Sequence, residues 1–226
     1  MQINKKITPY NYTAGNGRKI EYIVIHYVGA VSTAKNNATY YAGNKLSASA
    51  HYFVDENEIW QSVEDKDTAW HCGGGLQGQN GHTFYGKCKN SNSIGVEMCV
   101  KKDSNGAWYF EEATVQNTIE LVRELMKKYG VPIDRVIRHY DVTGKLCPYP
   151  YIDEHNWAEF KRRIEVKDVK HFTDTEGHFA KNDIEELCDF GIVNGTGDGR
   201  FEPDKPITRG EAAAMIRRTV RFITGK

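Results

Sequence analysis

The chain has 226 residues, 39% apolar and 27% charged, an ordinary balance for a folded globular protein and a length that suits one full domain plus a small one. Thirty basic residues cancel thirty acidic ones. No half of the chain carries a strong excess, which excludes the electrostatic mode of nucleic-acid binding, where clustered Lys and Arg neutralise phosphates. No segment approaches the ~18–20 apolar residues of a membrane span, so no membrane insertion is expected. Met1–Pro9 holds two lysines with no apolar run of signal length behind them. The expectation is a chain made in the cytoplasm without a signal peptide, which would need another agent to reach anything outside. Five cysteines, Cys72, Cys88, Cys99, Cys147 and Cys188, are odd in number and irregular in spacing. Buried thiols or a metal ligand are expected rather than a disulfide framework.

In chain order, Glu21–Val28 is a near-continuous apolar run ending at Gly29, and it reads as a strand buried on both faces. Residues 33–43 favour a helix. His51–Val54 and Glu58–Val63 read as a hairpin around the polar turn Asp55-Glu-Asn57. Residues 72–92, rich in Gly, Asn and Gln, read as a long surface loop, a kind of segment that is often functional. Ser93–Val100 is a second strand, its apolar run interrupted by Glu97. Val115, Ile119, Val122, Leu125, Met126 and Tyr129 form one stripe at helical spacing over 113–129, closed by Gly130 and Pro132. Arg135–Arg138 reads as a short strand delivering His139, and a last helix is expected over 156–164. The polar stretch Glu165–His171 marks a boundary. The expected domains are 1–165 and 166–226, the second too small to bury a robust core alone.

Three residues of zinc-ligand type stand at predicted strand ends or just beyond them: His26, His139 and, eight residues later, Cys147. Two imidazoles and a thiolate leave one tetrahedral position open, as catalytic zinc sites require. Glu97 is the candidate base, since a carboxylate inside an apolar strand is expensive to bury without a reason. Lys145 is the candidate cation for a developing oxyanion. It stands two residues from Cys147, so an extended backbone would put both side chains on one face, and Pro148 favours extended backbone at Cys147 itself. Each residue alone has a plain structural reading: a solvated His, a buried thiol, a surface Glu or Lys. A dispersed His/His/Cys set also has no diagnostic spacing.

The ordered motifs Tyr22-Ile-Val-Ile-His26, Ser49-Ala-His-Tyr52, Ala69-Trp-His-Cys-Gly73, Asn92-Ser-Ile-Gly-Val-Glu97, His139-Tyr-Asp141 and Gly144-Lys-Leu-Cys-Pro148 together resemble the type-2 N-acetylmuramoyl-L-alanine amidases. That family includes phage lysins, autolysins and, more distantly, peptidoglycan-recognition proteins. The resemblance spans about residues 5–164. It implies an α/β fold with a mixed central sheet flanked by helices, and hydrolysis of the bond between N-acetylmuramic acid and L-alanine in bacterial peptidoglycan. One Zn2+ per chain would be held by His26, His139 and Cys147. Glu97 would act as the acid/base carboxylate and Lys145 as the oxyanion-stabilising lysine, with His71 a groove histidine that touches substrate. Some members carry a tyrosine where this chain has Ala50, and Tyr52 is not expected to replace it.

Phe172-Thr-Asp174, Gly177-His-Phe-Ala180, Gly191-Ile192, Gly195–Pro203 and Ile207-Thr-Arg-Gly-Glu211 resemble a single S-layer homology motif. That implies a small α-helical domain binding secondary cell-wall polymer, with Asp174, Phe179 and Arg209 as candidate contacts. Because such motifs usually occur in threes, a lone one is expected either to self-associate into a homo-oligomer or to dock on the amidase. Residues 194–205 do not make a calcium loop: Lys205 falls on the last ligand position, so the glycines are read as turn formers. The expected whole is a phage or prophage endolysin of a Gram-positive host, or an autolysin. The alternatives are a non-catalytic peptidoglycan-binding protein and a cytoplasmic amidase recycling muropeptides.

Overall fold

The computed structural model describes residues 2–15, 17–165 and 172–224. The chain divides into two compact units, Met1–Ile164 and Glu165–Lys226. Of the boundary stretch read from the sequence, residues 166–171 lie outside the described residues.

The elements of the first unit are β1 (Ile3–Lys5), β2 (Tyr12–Thr13), β3 (Tyr22–Val31), α1 (Ala34–Gly43), β4 (Tyr52–Val54), β5 (Ile59–Gln61), β6 (Thr68–Ala69), β7 (Ser93–Lys102), β8 (Trp108–Tyr109), α2 (Glu112–Tyr129), β9 (Val136–Arg138), α3 (His139–Thr143) and α4 (Glu154–Glu165). Six strands form one mixed sheet in the order β1-β5-β4-β7-β3-β9, with β8 paired to β7, and β2 and β6 form a separate antiparallel pair. At the centre of the sheet β3 lies parallel to both β7 and β9. Central parallel strands are covered on both faces, which is why Tyr22–His26 is buried throughout.

Alternation along these strands sorts the side chains. Ile23 and Ile25 of β3 and Ile94, Val96 and Met98 of β7 pack with Val115, Ile119, Val122 and Leu125 of α2 and with Trp157, Phe160 and Ile164 of α4. Burying each of these large side chains contributes roughly 1.5–3 kcal/mol, so this face carries much of the stability. The opposite parity, Tyr22, Val24 and His26 on β3 and Ser93, Gly95 and Glu97 on β7, lies on the other face, where Tyr22 and Val24 pack with Cys72, Cys88, Ile137 and Val142. α2 ends at Gly130 in the left-handed region, φ 66°, with its N–H donating to the Met126 carbonyl.

Residues 72–92 are largely loop, as expected, but they are laid onto α3. The Gln77, His82 and Phe84 N–H groups donate to the carbonyls of Thr143, Tyr140 and Asp141 at 2.6, 3.0 and 2.8 Å. Gly144, at φ 79°, is pressed so close to this loop that a Cβ would stand 1.9 Å from the Gln77 carbonyl oxygen.

Among the described residues, the second unit contains two helices, α5 (Lys181–Asp189) and α6 (Arg209–Thr224). The glycine-rich stretch between them is a series of turns, with Gly197 and Gly199 at φ 98° and 85°. No helix among the described residues is long and apolar enough to cross a membrane.

Candidate metal centre and active site

Register in the parallel sheet builds the site. His26 on β3 is the direct partner of Glu97 on β7. On the other side of β3, Ile25 pairs with Arg138, so His139 follows at the level of His26. Three residues distant in sequence therefore stand side by side across three adjacent strands.

His139 opens α3, and Arg138 secures that corner. Its backbone N–H donates to Asp141 Oδ2 at 2.8 Å, and its buried guanidinium bonds Asp141 Oδ1 at 2.7 Å, Glu154 Oε1 at 2.8 Å and the Tyr151 carbonyl at 2.9 Å. The chain then returns so that the Tyr140 N–H donates to the Cys147 carbonyl at 2.9 Å, which brings Cys147 back to the start of α3. The expectation of extended backbone from Lys145 to Cys147 is corrected here. The Cys147 N–H donates to the Lys145 carbonyl at 2.7 Å, closing a tight turn around Leu146 that completes the chain reversal begun at Gly144. Lys145 lies exposed in this turn, and its charge acts on His26, His139, Glu97 and Cys147.

The ligand atoms of His26, His139 and Cys147 all lie within 4.8 Å of one another, and all three residues are buried. Cys147 Sγ is 3.6 Å from His26 Nδ1, and Glu97 Oε1 is 4.0 Å from the same nitrogen. Neither ring nitrogen of His139, nor Glu97 Oε2, has a hydrogen-bond partner among the described residues. Orphaned buried polar atoms are costly, and here they cluster. The donor set fits a zinc ion: two imidazoles and one sulfur are its preferred ligands. Bonds of about 2.0–2.3 Å would place tetrahedral donors roughly 3.3–3.8 Å apart; Cys147 Sγ and His26 Nδ1, at 3.6 Å, already have that spacing, and all three donors lie within 4.8 Å.

The electrostatics follow from burial. Without a metal, desolvation lowers His26 well below the ordinary histidine value, reinforced by His139 and His71. It also brings His139 down to about 4, pushes the Cys147 thiol up to about 12, and raises Glu97 to about 8 against the opposing charge of Lys145.

His71 does not lie on a groove surface. It is only 8% exposed, and both ring nitrogens are engaged inside the protein, Nδ1 with His26 Nε2 at 3.1 Å and Nε2 with Ser93 Oγ at 3.1 Å. It fits there because residue 95 is glycine; a Cβ would stand 2.5 Å from the imidazole Cγ. The His71 and Cys72 N–H groups both donate to Asn90 Oδ1, which fastens the two ends of the long loop together. Sequence reasoning missed Ser93, Gly95, Asn90 and Arg138. The alternation Ser93, Gly95, Glu97 was the available signal for the first two, since it places them on the face of the candidate base. Tyr52 is buried and donates to Asp65 Oδ1 at 2.5 Å, a fold-forming bond outside the site. Cys72, Cys88, Cys99 and Cys147 are buried free thiols, and Cys188 is half-buried.

In the second unit, both Asp174 oxygens accept backbone N–H groups, from Phe201 at 2.9 Å and Glu202 at 2.7 Å, so this carboxylate holds the turn. Phe179 is 93% exposed, and Arg209 is exposed at the start of α6.

A family model described as N-acetylmuramoyl-L-alanine amidase matches residues 16–150, and one for the S-layer homology domain matches residues 171–213. The N-acetylmuramoyl-L-alanine amidase CwlA of Bacillus subtilis is 31% identical over 214 residues, covering 93% of this chain and 74% of that protein. The amidase XlyB of the same organism is 37% identical over 156 residues, but the match spans only 45% of its length. Among solved structures, a mutant endolysin from Bacillus subtilis superposes with a TM-score of 0.56 at 26% identity, covering 71% of this chain and 97% of that one. The family match over most of the first unit, together with a relative aligned along nearly the whole chain, shows that this protein belongs to the N-acetylmuramoyl-L-alanine amidase family and carries an S-layer homology domain.

Proposed function

We propose that the chain is a zinc-dependent endolysin that cuts the bond between N-acetylmuramic acid and L-alanine in the peptidoglycan of a Gram-positive host, with His26, His139 and Cys147 holding one Zn2+. The observation that carries this reading is the convergence of those three donors beside a half-buried carboxylate whose shielded Oε2 has no hydrogen-bond partner among the described residues. A bound zinc supplies Lewis acidity, which lowers the pKa of water toward ~7 and polarises a carbonyl. The chain's own groups do the rest. Glu97 Oε2 takes the proton of the attacking water and returns it to the departing amide nitrogen. The Lys145 ammonium offsets the charge that grows on the carbonyl oxygen. The likeness to a solved endolysin supports the lytic role. An autolysin acting by the same chemistry is the nearest alternative.

Mass spectrometry of purified wall digested by the protein tests the reading, with metal content measured on the same preparation. The expected result is stem peptides with free L-alanine amino termini, lost on chelation and recovered with zinc. Intact walls would point to a binding protein, cleavage of soluble muropeptides alone to a recycling enzyme, and full activity after complete demetallation would refute the metal.

The S-layer homology domain is proposed to hold the enzyme on a secondary wall polymer through Phe179 and Arg209, with Asp174 holding the turn at Phe201 and Glu202. Ile216, Val220 and Ile223 of α6 are exposed at helical spacing, an apolar stripe that favours self-association through this domain. Sedimentation should then show the intact chain as an oligomer and residues 1–165 as a monomer. Two monomers would end that proposal.

A further inference from the structure

The contacts behind His26 fix more than its position. The Lys89 carbonyl can only accept, and Ser93 Oγ stands 2.6 Å from it. An approach of two oxygens that close requires a hydrogen between them, so the single hydroxyl proton of Ser93 is committed to Lys89. His71 Nε2, 3.1 Å from Ser93 Oγ, must then be the donor in that contact. A neutral imidazole carries one N–H, which leaves His71 Nδ1 a bare acceptor. His26 Nε2, 3.1 Å away, must donate to it. The proton of His26 is thereby held on Nε2, and the lone pair of Nδ1 faces Cys147 Sγ and Glu97 Oε1.

We propose that Ser93 and His71 are positioning residues that, through a hydrogen-bond chain anchored on the Lys89 carbonyl, hold His26 in the tautomer whose Nδ1 can bind the metal. Metal binding by that nitrogen rests on the proposed zinc site; the direction of the hydrogen-bond chain does not. With a neutral His71, the opposite arrangement would place a proton on His26 Nδ1, where it blocks ligation, and would leave Lys89 and Ser93 facing each other as acceptors at 2.6 Å. Cys72 Sγ lies 3.7 Å from Ser93 Oγ, a far longer contact than the 2.6 Å approach to the Lys89 carbonyl that holds the hydroxyl proton. Ligating histidines commonly give their second N–H to a carboxylate, a carbonyl or water. Here the route runs through a second imidazole and a hydroxyl to a carbonyl, and it ties the loop that contains Lys89 to the metal centre. Gly95 belongs to the same device, since it opens the space that His71 fills.

Two measurements on the full chain test the proposal. Long-range 1H–15N spectra of the zinc-free protein read the ring nitrogens directly, and both His26 and His71 are expected as Nε2–H tautomers. A Nδ1–H signal on His26 would overturn the chain. Zinc titration against a competing chelator should show Ser93→Ala weakened by about 10-fold or more, the scale of lost outer-shell bonds, with Ser93→Thr recovering affinity because it restores the hydroxyl. Equal affinity in Ser93→Ala and the natural chain would remove Ser93 from the role. If the natural chain bound no zinc, the metal reading would fail while the spectra still decided the hydrogen-bond chain.

Discussion

Cys147→Ser is expected to weaken zinc binding by roughly 10²–10³-fold and to abolish its steepest pH dependence. Structural zinc sites gain about 10–16 kcal/mol from four ligands, so one ligand is worth about 3 kcal/mol, and a serine hydroxyl does not replace a thiolate. At neutral pH both imidazoles are already neutral and ready to bind, because burial holds His26 well below its usual value and His139 at about 4. The Cys147 thiol, pushed up to about 12 by burial and then by Glu97, still carries its proton. Metal binding must expel that proton, so the zinc association constant should rise at least about tenfold per pH unit across the neutral range. Competition titrations at several pH values check both statements. A serine variant that bound zinc with the natural affinity and slope would show that the sulfur is not a ligand.

The parts of this molecule legible in its sequence are those fixed by local pattern. The apolar run at Tyr22–Val28 announces β3, the stripe from Val115 to Tyr129 announces α2, and the polar turn at Asp55–Asn57 announces the β4–β5 hairpin, because each depends on spacing within a few residues. The pairing of His26 with Glu97 was not legible. It is set by parallel register between strands separated by a helix, a hairpin and a long loop, and register comes from the packing of α2 and α4 beneath the sheet rather than from either strand. α3 escaped because five residues show no periodicity; its signal was Asp141, placed to cap the Arg138 N–H. The turn at Lys145–Cys147 escaped for another reason. Proline biases only the residue directly before it, Cys147, while the turn is centred on Leu146 and follows the reversal at Gly144. His71 was read from resemblance alone, and only the space above Gly95 reveals that it stands behind His26.

Glu97→Gln is expected to retain the fold and the metal while losing at least ~10² in kcat, the scale of general acid–base catalysis. Glutamine keeps the size of the side chain and its place beside His26, but it cannot take up and return a proton. Glu97 is suited to that task by its surroundings. Burial raises it to about 8 in the metal-free protein, with Lys145 the opposing charge. A divalent cation among His26, His139 and Cys147 would favour the carboxylate and bring it down from there toward neutrality. A group poised near the working pH can act as base toward water and then as acid toward the leaving nitrogen. The sign of the pH profile follows: as pH falls through the Glu97 pKa the carboxylate protonates, loses its capacity to accept, and the rate falls. The glutamine variant should keep a low residual rate without that acid limb. Steady-state rates on purified wall across the neutral range, with zinc content measured on each sample, provide the check. A zinc-loaded Glu97→Gln enzyme within about tenfold of the natural rate would exclude Glu97 as the proton carrier.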